Sequence, residues 1–354
     1  MLRLVPRREP SRALLYATPV MALGFTLVAG FVMFALLGKD PVRALGLIFV
    51  SPLTSLRGLS ELTVKATPLI LIAVGLSVGF RAGVWNIGAE GQFALGAISS
   101  GSVALWAWPG GGPLLLPAMC LAGIAGGMLW AAIPALLRTR FGTNEILVSL
   151  MLVYVAVLLL SLLVHGPLKD PQGFNFPESR LFQADAQMPL LVQGFRAHAG
   201  FVVALIVAAA AAVLMARHAI GFRVRVLGEA PRAARFAGIS EGRMVWLCLL
   251  VSGGLAGLAG TFEAAGPVGQ LVPALPAGYG FTAIIVAFLG RLDPAAIVVA
   301  GLLLALTYIG GEAAQIAMSL PSATTSVFQG MLLFFLLACD VLVGYRLVFG
   351  RAAA

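Results

Sequence analysis

Residues 83–92 read G-V-W-N-I-G-A-E-G-Q, setting Asn86, Glu90 and Gln92 among three glycines with long apolar runs on either side. An ionisable group in hydrocarbon costs a few kcal/mol on insertion scales, so such groups face a cavity or a partner. Two readings follow. Glycine permits a tight turn between two spans, with Asn86 capping the next helix. Alternatively the helix is broken and Asn86, Glu90 and Gln92 line an aqueous path, because irregular backbone at membrane depth needs a protein or water cover. If the segment is wound, Asn86 and Glu90, four apart, share a face. Glu263 and Glu312 are further candidates to border such a path. Glu263 and Gln270 flank a Gly-Pro step, where a structural turn explains them equally well. Glu312 and Gln315 are three apart and share a helical face, which a solvated helix end also accounts for. Asn144 is placed to cap a helix starting at Glu145. Asp340 is within reach of a basic neighbour such as Arg346.

Other chemistry lacks its residues. The chain contains no G-x-x-x-x-G-K-[ST], H-E-x-x-H or G-x-S-x-G, so ATP binding through a P-loop, zinc hydrolysis and a nucleophile elbow have no local motif. His165, His198 and His218 fall in or at the ends of loops with no acidic or Cys partner in a recognisable pattern. Cys120, Cys248 and Cys339 sit inside apolar runs without a C-x-x-C pair, which reads as packing rather than metal or disulfide. The chain is therefore expected not to be an enzyme, and no metal or cofactor is expected on it.

The elements that must position these residues follow from composition. Of 354 residues, 60% are hydrophobic and 10% charged, and the mean hydropathy is +1.01. A soluble domain carries about a quarter charged residues, so this is an all-α polytopic membrane protein. About 20 apolar residues span a bilayer. That rule predicts ten spans, at 13–37, 62–80, 87–108, 113–137, 145–164, 199–216, 245–262, 278–290, 295–316 and 326–346, with a broken, glycine-rich region near 81–92. Residues 45–56 are too short to span and read as interfacial or re-entrant. The apolar stretch after the basic start is too long for a signal peptide and reads as a retained first helix. Placing the N-terminus in the cytoplasm assigns sixteen of the 23 basic residues to inner segments, which satisfies the positive-inside rule and makes both termini cytoplasmic. The net charge of +9 is spread in short clusters between spans, which suits membrane topology and not nucleic acid. Residues 1–354 thus read as one membrane domain with an outer loop at 165–198, rich in Pro, Gly and polar residues, and an inner loop at 217–243. Small residues in 123–130 and 252–260 let helix backbones approach closely.

In the inner loop, Pro231 suits a first helical turn, residues 232–237 favour about two turns, and Gly238 is a natural stop. Such a helix is either a solvated positive-inside loop or a docking helix. Here the sequence resembles a family. "VLGEAPRAARFAGIS" (226–240) is similar to the cytoplasmic coupling segment of ABC importer permeases of the branched-chain amino acid, ribose and nucleoside group. Gly228, Ala233, Ala234, Gly238 and Ile239 match that pattern, while Ala230 stands where Asn is usual. "GVWNIGAEGQFALGA" (83–97), "TNEILVSLMLVYVA" (143–156), "GYGFTAIIVAFLGRLDP" (278–294) and "ACDVLVGYR" (338–346) resemble the simple sugar/nucleoside subgroup in family order, with Val153 at a common Asn position.

The resemblance implies a permease translocating nucleosides or related small polar solutes across a bacterial inner membrane by alternating access. It implies separate ATPase subunits that bind the ATP, a second permease subunit, related or identical, an extracytoplasmic solute-binding protein, and membrane lipid around the spans. It places Glu229, Arg232, Ala233, Ala234, Arg235, Phe236, Gly238 and Ile239 in the coupling segment, with Arg232 and Arg235 toward the ATPase groove and Phe236 as apolar anchor. Simple sugars or branched-chain amino acids are alternative solutes. An ion- or proton-coupled carrier is the rival class, since ten spans, broken helices and membrane acids suit it too, but a carrier needs no docking helix.

Overall fold

The computed structural model describes residues 2–6 and 12–349. Thirteen helices follow in order among these residues: α1 (Arg12–Leu36), α2 (Pro41–Phe49), α3 (Leu56–Arg81), α4 (Ala89–Ser102), α5 (Leu115–Phe141), α6 (Glu145–His165), α7 (Gly200–Arg217), α8 (Ala219–Glu229), α9 (Pro231–Phe236), α10 (Glu241–Glu263), α11 (Tyr279–Leu289), α12 (Pro294–Met318) and α13 (Ala323–Gly344). Strand β1 (Leu2–Pro6) pairs antiparallel with β2 (Tyr345–Phe349), an addition to the all-helical expectation.

The chain divides into two compact units, Met1–Leu59 with Leu306–Ala354, and Ser60–Ala305. In the first, α1 packs along α13, and Phe34, Ala44, Ile48, Ala314 and Leu320 form a core. The segment read as interfacial begins with α2. Asp40 caps it by accepting from Val42 N (3.0 Å) and Arg43 N (3.2 Å), and Pro41 stands where its missing N–H does no harm.

In the second unit, α4, α5 and α10 pack on one another through the small residues of 123–130 and 252–260. A methyl group on Gly96 would lie 2.2 Å from Gly257 Cα, and one on Gly127 would lie 2.1 Å from Gly253 O. The glycines therefore set how closely these backbones meet. α3 is buried on nearly every face from Ser60 to Phe80, as expected of a helix surrounded by others.

Among the described residues, eight helices are long and apolar enough to cross a membrane, not ten. The two that differ are informative. The span expected at 87–108 is a 14-residue α4 rich in Gly, Ser and Ala, continued by a π-helical turn at Val103–Ala107. The span expected at 278–290 is the 11-residue α11, which at 1.5 Å per residue is about half the length needed to cross.

Candidate functional site

The polar motif is neither a simple loop nor a helix. After α3 ends at Arg81, Gly83 takes a left-handed φ of +71°, and Val84 N donates to Gly79 O at 2.9 Å, folding the chain back on α3. Residues 84–88 are non-helical. Trp85 packs on Phe80 and Phe288, with ring centroids 4.9 and 6.0 Å away.

Asn86 then turns inward and is buried. Its Nδ2 donates to Gln92 Oε1 (2.7 Å) and Ser252 Oγ (2.8 Å). Its Oδ1 accepts from Gln92 Nε2 (3.1 Å) and Gly88 N (3.0 Å). The amide is thus fully used within a network joining the motif to α10. Gly88, not Asn86, occupies the cap position of α4. The cap expected of Asn86 becomes a turn that leads into the helix, because the one backbone amide its side chain accepts from is Gly88 N.

Glu90 goes elsewhere. Its Oε1 accepts from Gly278 N at 2.7 Å and its Oε2 from Gly280 N. These amides belong to the cap and the first turn of α11, where N–H groups have no partner within the helix and carry its positive dipole end. Gly278 has φ +83°, and a methyl on Gly280 would sit 2.3 Å from Glu90 N. Asn86 and Glu90 do not share a helical face, since the backbone between them is unwound up to Ala89. The four-apart spacing was informative only for a wound segment.

Glu263 closes α10, but the helix does not stop at the Gly-Pro step; it continues as a π-helical turn, Ala264–Val268. Glu263 Oε1 accepts from Tyr279 Oη at 3.1 Å, and Lys65 Nζ donates to the same Oη at 2.8 Å. Sequence reasoning passed over Lys65 and Tyr279. Lys65 counted only as one more outer charge, although a Lys inside an apolar run was itself a signal.

The 165–198 loop is stitched onto this turn and the residues after it. Met188 N donates to Ala265 O (2.9 Å), Phe182 N to Gly269 O (2.8 Å) and Ser179 N to Leu271 O (3.0 Å). Gln270 Nε2 reaches Glu178 (2.9 Å), and Arg196 pairs with Glu61 (3.2 Å) while donating to Pro267 O (3.0 Å). His198 is buried at the loop's end, where its Nδ1 accepts from Gly200 N at 3.2 Å. Burial, then the nearby Arg196 charge, lower its pKa to about 4.

The 217–243 stretch is more ordered than a loop. Its first half is α8, with Gly221, Val224 and Leu227 buried at three-residue spacing. α9 follows where Pro231 and Gly238 placed it; Gly238 has φ +74°. Ala234 is its one fully buried side chain, in a cluster with Val224, Leu227, Met244 and Val245. Glu229, Arg232, Ala233, Arg235 and Gly238 are exposed and Ile239 is half-buried. Phe236 is 95% exposed. Arg235 pairs with Glu241 at 2.8 Å. Nearby, Glu145 pairs with Arg138, and Asn144 caps α6 as expected, accepting from Ile146 N at 2.9 Å.

Glu312 is exposed on α12 in the other unit, where its neighbour Gln315 donates to Thr325 Oγ1 at 2.8 Å. The side chains of Asp340 and Arg346 lie outside the described residues.

Comparison with known proteins gives a consistent result. The family described as branched-chain amino acid transport system / permease component matches residues 58–337. The chain is 39% identical to the glucose ABC transporter permease protein TsgB13 of Haloferax volcanii, over 98% of this chain and 93% of that protein. It is 29% identical to the guanosine ABC transporter permease protein NupP of Bacillus subtilis, over 90% and 91% respectively. It is 28% identical to the nucleoside ABC transporter permease protein NupB of Lactococcus lactis, over 90% and 89%. No solved structure matches the chain.

Proposed function

The chain belongs to this family of transport-system permease components and is the membrane subunit of an ABC transporter; from that premise we propose that it imports neutral, hydroxyl-rich solutes, nucleosides or simple sugars, by alternating access. The relatives named for glucose, guanosine and nucleosides support the solute class. ATP is bound and hydrolysed by separate subunits, and solute arrives on an extracytoplasmic binding protein. A second permease, identical or related, completes the membrane core. The family match runs from 58 to 337 across both compact units, which supports one permease domain.

In this reading α9 is the coupling helix, on the cytoplasmic side with both chain termini, as the distribution of basic residues favours. α4 with its π-helical turn, 89–107, is long enough to cross but less apolar than the eight long helices, and α11 is a partial pass. Asn86, Glu90, Gln92, Glu263 and Glu312 are the candidate residues of the solute path. The observation that carries the coupling role is Phe236, 95% exposed on a short helix whose Ala234 is fully buried. An aromatic ring with no seat in its own chain fits a groove on a partner. Arg232 and Arg235 flank it on the exposed side, and Ala233, Gly238 and Ile239 shape the turn around it.

The test is the double variant Arg232→Glu/Arg235→Glu in the assembled transporter. ATP hydrolysis is expected to persist while solute uptake falls at least tenfold, with the membrane subunit still produced and folded. Unchanged uptake refutes the assignment. Proton-driven uptake by the chain alone, without ATPase subunits, would favour a secondary carrier instead.

A further inference from the structure

Lys65, Tyr279 and Glu263 come from three separate elements of one unit: α3, the start of α11 and the last residue of α10. Tyr279 and Glu263 are buried and Lys65 is half-buried. Two opposite charges in an apolar span contribute little net stability, since well-packed hydrophobic residues replace such pairs at no loss or with gain. The arrangement also leaves capacity unused. Among the described residues, the Lys65 ammonium has one hydrogen-bond partner, Tyr279 Oη, although it carries three donors. Glu263 has one as well, the same hydroxyl on Oε1. A π-helical turn begins directly after Glu263, a feature that recurs at functional sites. An aromatic wall is present: the Phe93 ring lies 5.7 Å from that of Tyr279.

The chemistry of the trio is specific. Tyr279 Oη accepts from an ammonium and donates to a carboxylate, which is how a sugar or ribose hydroxyl binds between two charged groups. We propose that Lys65, Tyr279 and Glu263 form a recognition site for solute hydroxyls, in which a hydroxyl of the passing solute takes a free N–H of Lys65 and the open oxygen of Glu263 alongside, or in place of, Tyr279 Oη. The site deepens the reading of the chain as an importer of sugars or nucleosides and rests on it. It accounts for charged groups in a path for uncharged solutes: hydrogen bonds from ionised partners are the strong ones.

The experiment measures ATP-dependent uptake in the complete transporter, with its ATPase and binding protein. Probes are glucose and guanosine and their deoxy analogues, each lacking one hydroxyl. Wild type is compared with Lys65→Met, Glu263→Gln and the near-isosteric Tyr279→Phe, each normalised to the amount of folded subunit in the membrane. The binding protein's own preference is common to all and cancels in the ratio of variant to wild type. For at least one analogue, the preference for the parent solute is expected to fall about tenfold or more in Lys65→Met and Glu263→Gln, the worth of a hydrogen bond to a charged group. Equal loss of parent and every analogue would mean a purely structural trio and overturn the site, leaving the importer reading intact. Wild-type transporter that takes up neither glucose nor guanosine overturns the solute class and the site together.

Discussion

Two of the three shortest α-helices of the larger unit contain opposite solutions to the same problem. α11 has eleven residues and α9 six, and an isolated helix of either length is unstable in water. α11 is held from within: Glu90 takes the Gly278 and Gly280 amides of its cap and first turn, and Tyr279 is buried against Phe93. α9 rests on Ala234 alone and turns its largest side chain, Phe236, outward. The difference separates residues the fold needs from residues it does not use. A buried carboxylate on backbone amides is part of the structure, whereas an exposed aromatic on a short helix has a role only if something else covers it.

The strongest way to break this comparison is at Glu90. Glu90→Ala leaves two amides at the start of α11, half-buried Gly278 and buried Gly280, without an acceptor. An amide left unsatisfied in this way costs about 1–3 kcal/mol. A sharp loss of monodisperse, folded subunit is expected by fluorescence-detected size exclusion and thermal unfolding. Glu90→Gln keeps one carbonyl oxygen and should fall between alanine and wild type. A Glu90→Ala subunit with an unchanged unfolding temperature would remove its role as a pin and leave it only as a candidate of the solute path.

The long helices of this protein were legible because sustained apolar runs admit no other structure in a membrane. α9 was legible too, from Pro231 and Gly238. α8 was not, because its Arg223 and Arg225 made 217–243 read as a basic loop; the three-residue spacing of Gly221, Val224 and Leu227 was the available signal. α4 with its π-helical turn runs over 89–107, close to the expected 87–108, but its packing was not legible. Beside Phe93 its burial comes largely from close backbone contact, as at Gly96 and Gly257, so hydropathy understates how deeply it is packed. The motif at 83–92 announced polar chemistry but not its partners. Glu90 meets amides 188 and 190 positions away, and Asn86 meets Ser252. Pairings at such separation leave no local pattern to read.

A second test asks whether the stitching of the 165–198 loop is a structural seam in the same sense as the Glu90 pin. Burial holds the folded pKa of His198 at about 4, below its unfolded value of 6.5. Above pH 6.5 both states are neutral and the full stability is present. As pH falls from 6.5 toward 4, the unfolded chain takes up a proton that the folded chain refuses, so stability declines, then levels off below about 4. The span of that shift corresponds to at most about 3 kcal/mol. Thermal unfolding across this window should show a falling midpoint, and His198→Gln, which keeps a polar side chain without titrating, should flatten it. An identical slope in wild type and variant would place the pH sensitivity in other groups.

The smallest expected effect on folding is at α9, and its smallness is what the comparison requires. Phe236→Ala removes a ring that touches water on nearly every side, so the unfolding midpoint should move by no more than the equivalent of about 0.5 kcal/mol. Arg235 is 72% exposed in its pair with Glu241, and such a pair is worth up to about 1 kcal/mol, so Arg235→Ala is also close to silent for stability. Partner binding should respond quite differently, because an aromatic buried in a groove contributes roughly 1.5–3 kcal/mol. Retention of ATPase subunits during purification of the Phe236→Ala membrane subunit should therefore drop by tenfold or more while the subunit itself elutes normally. If instead Phe236→Ala unfolds the subunit, α9 belongs with α11 as a structural element, and the contrast between the two helices disappears.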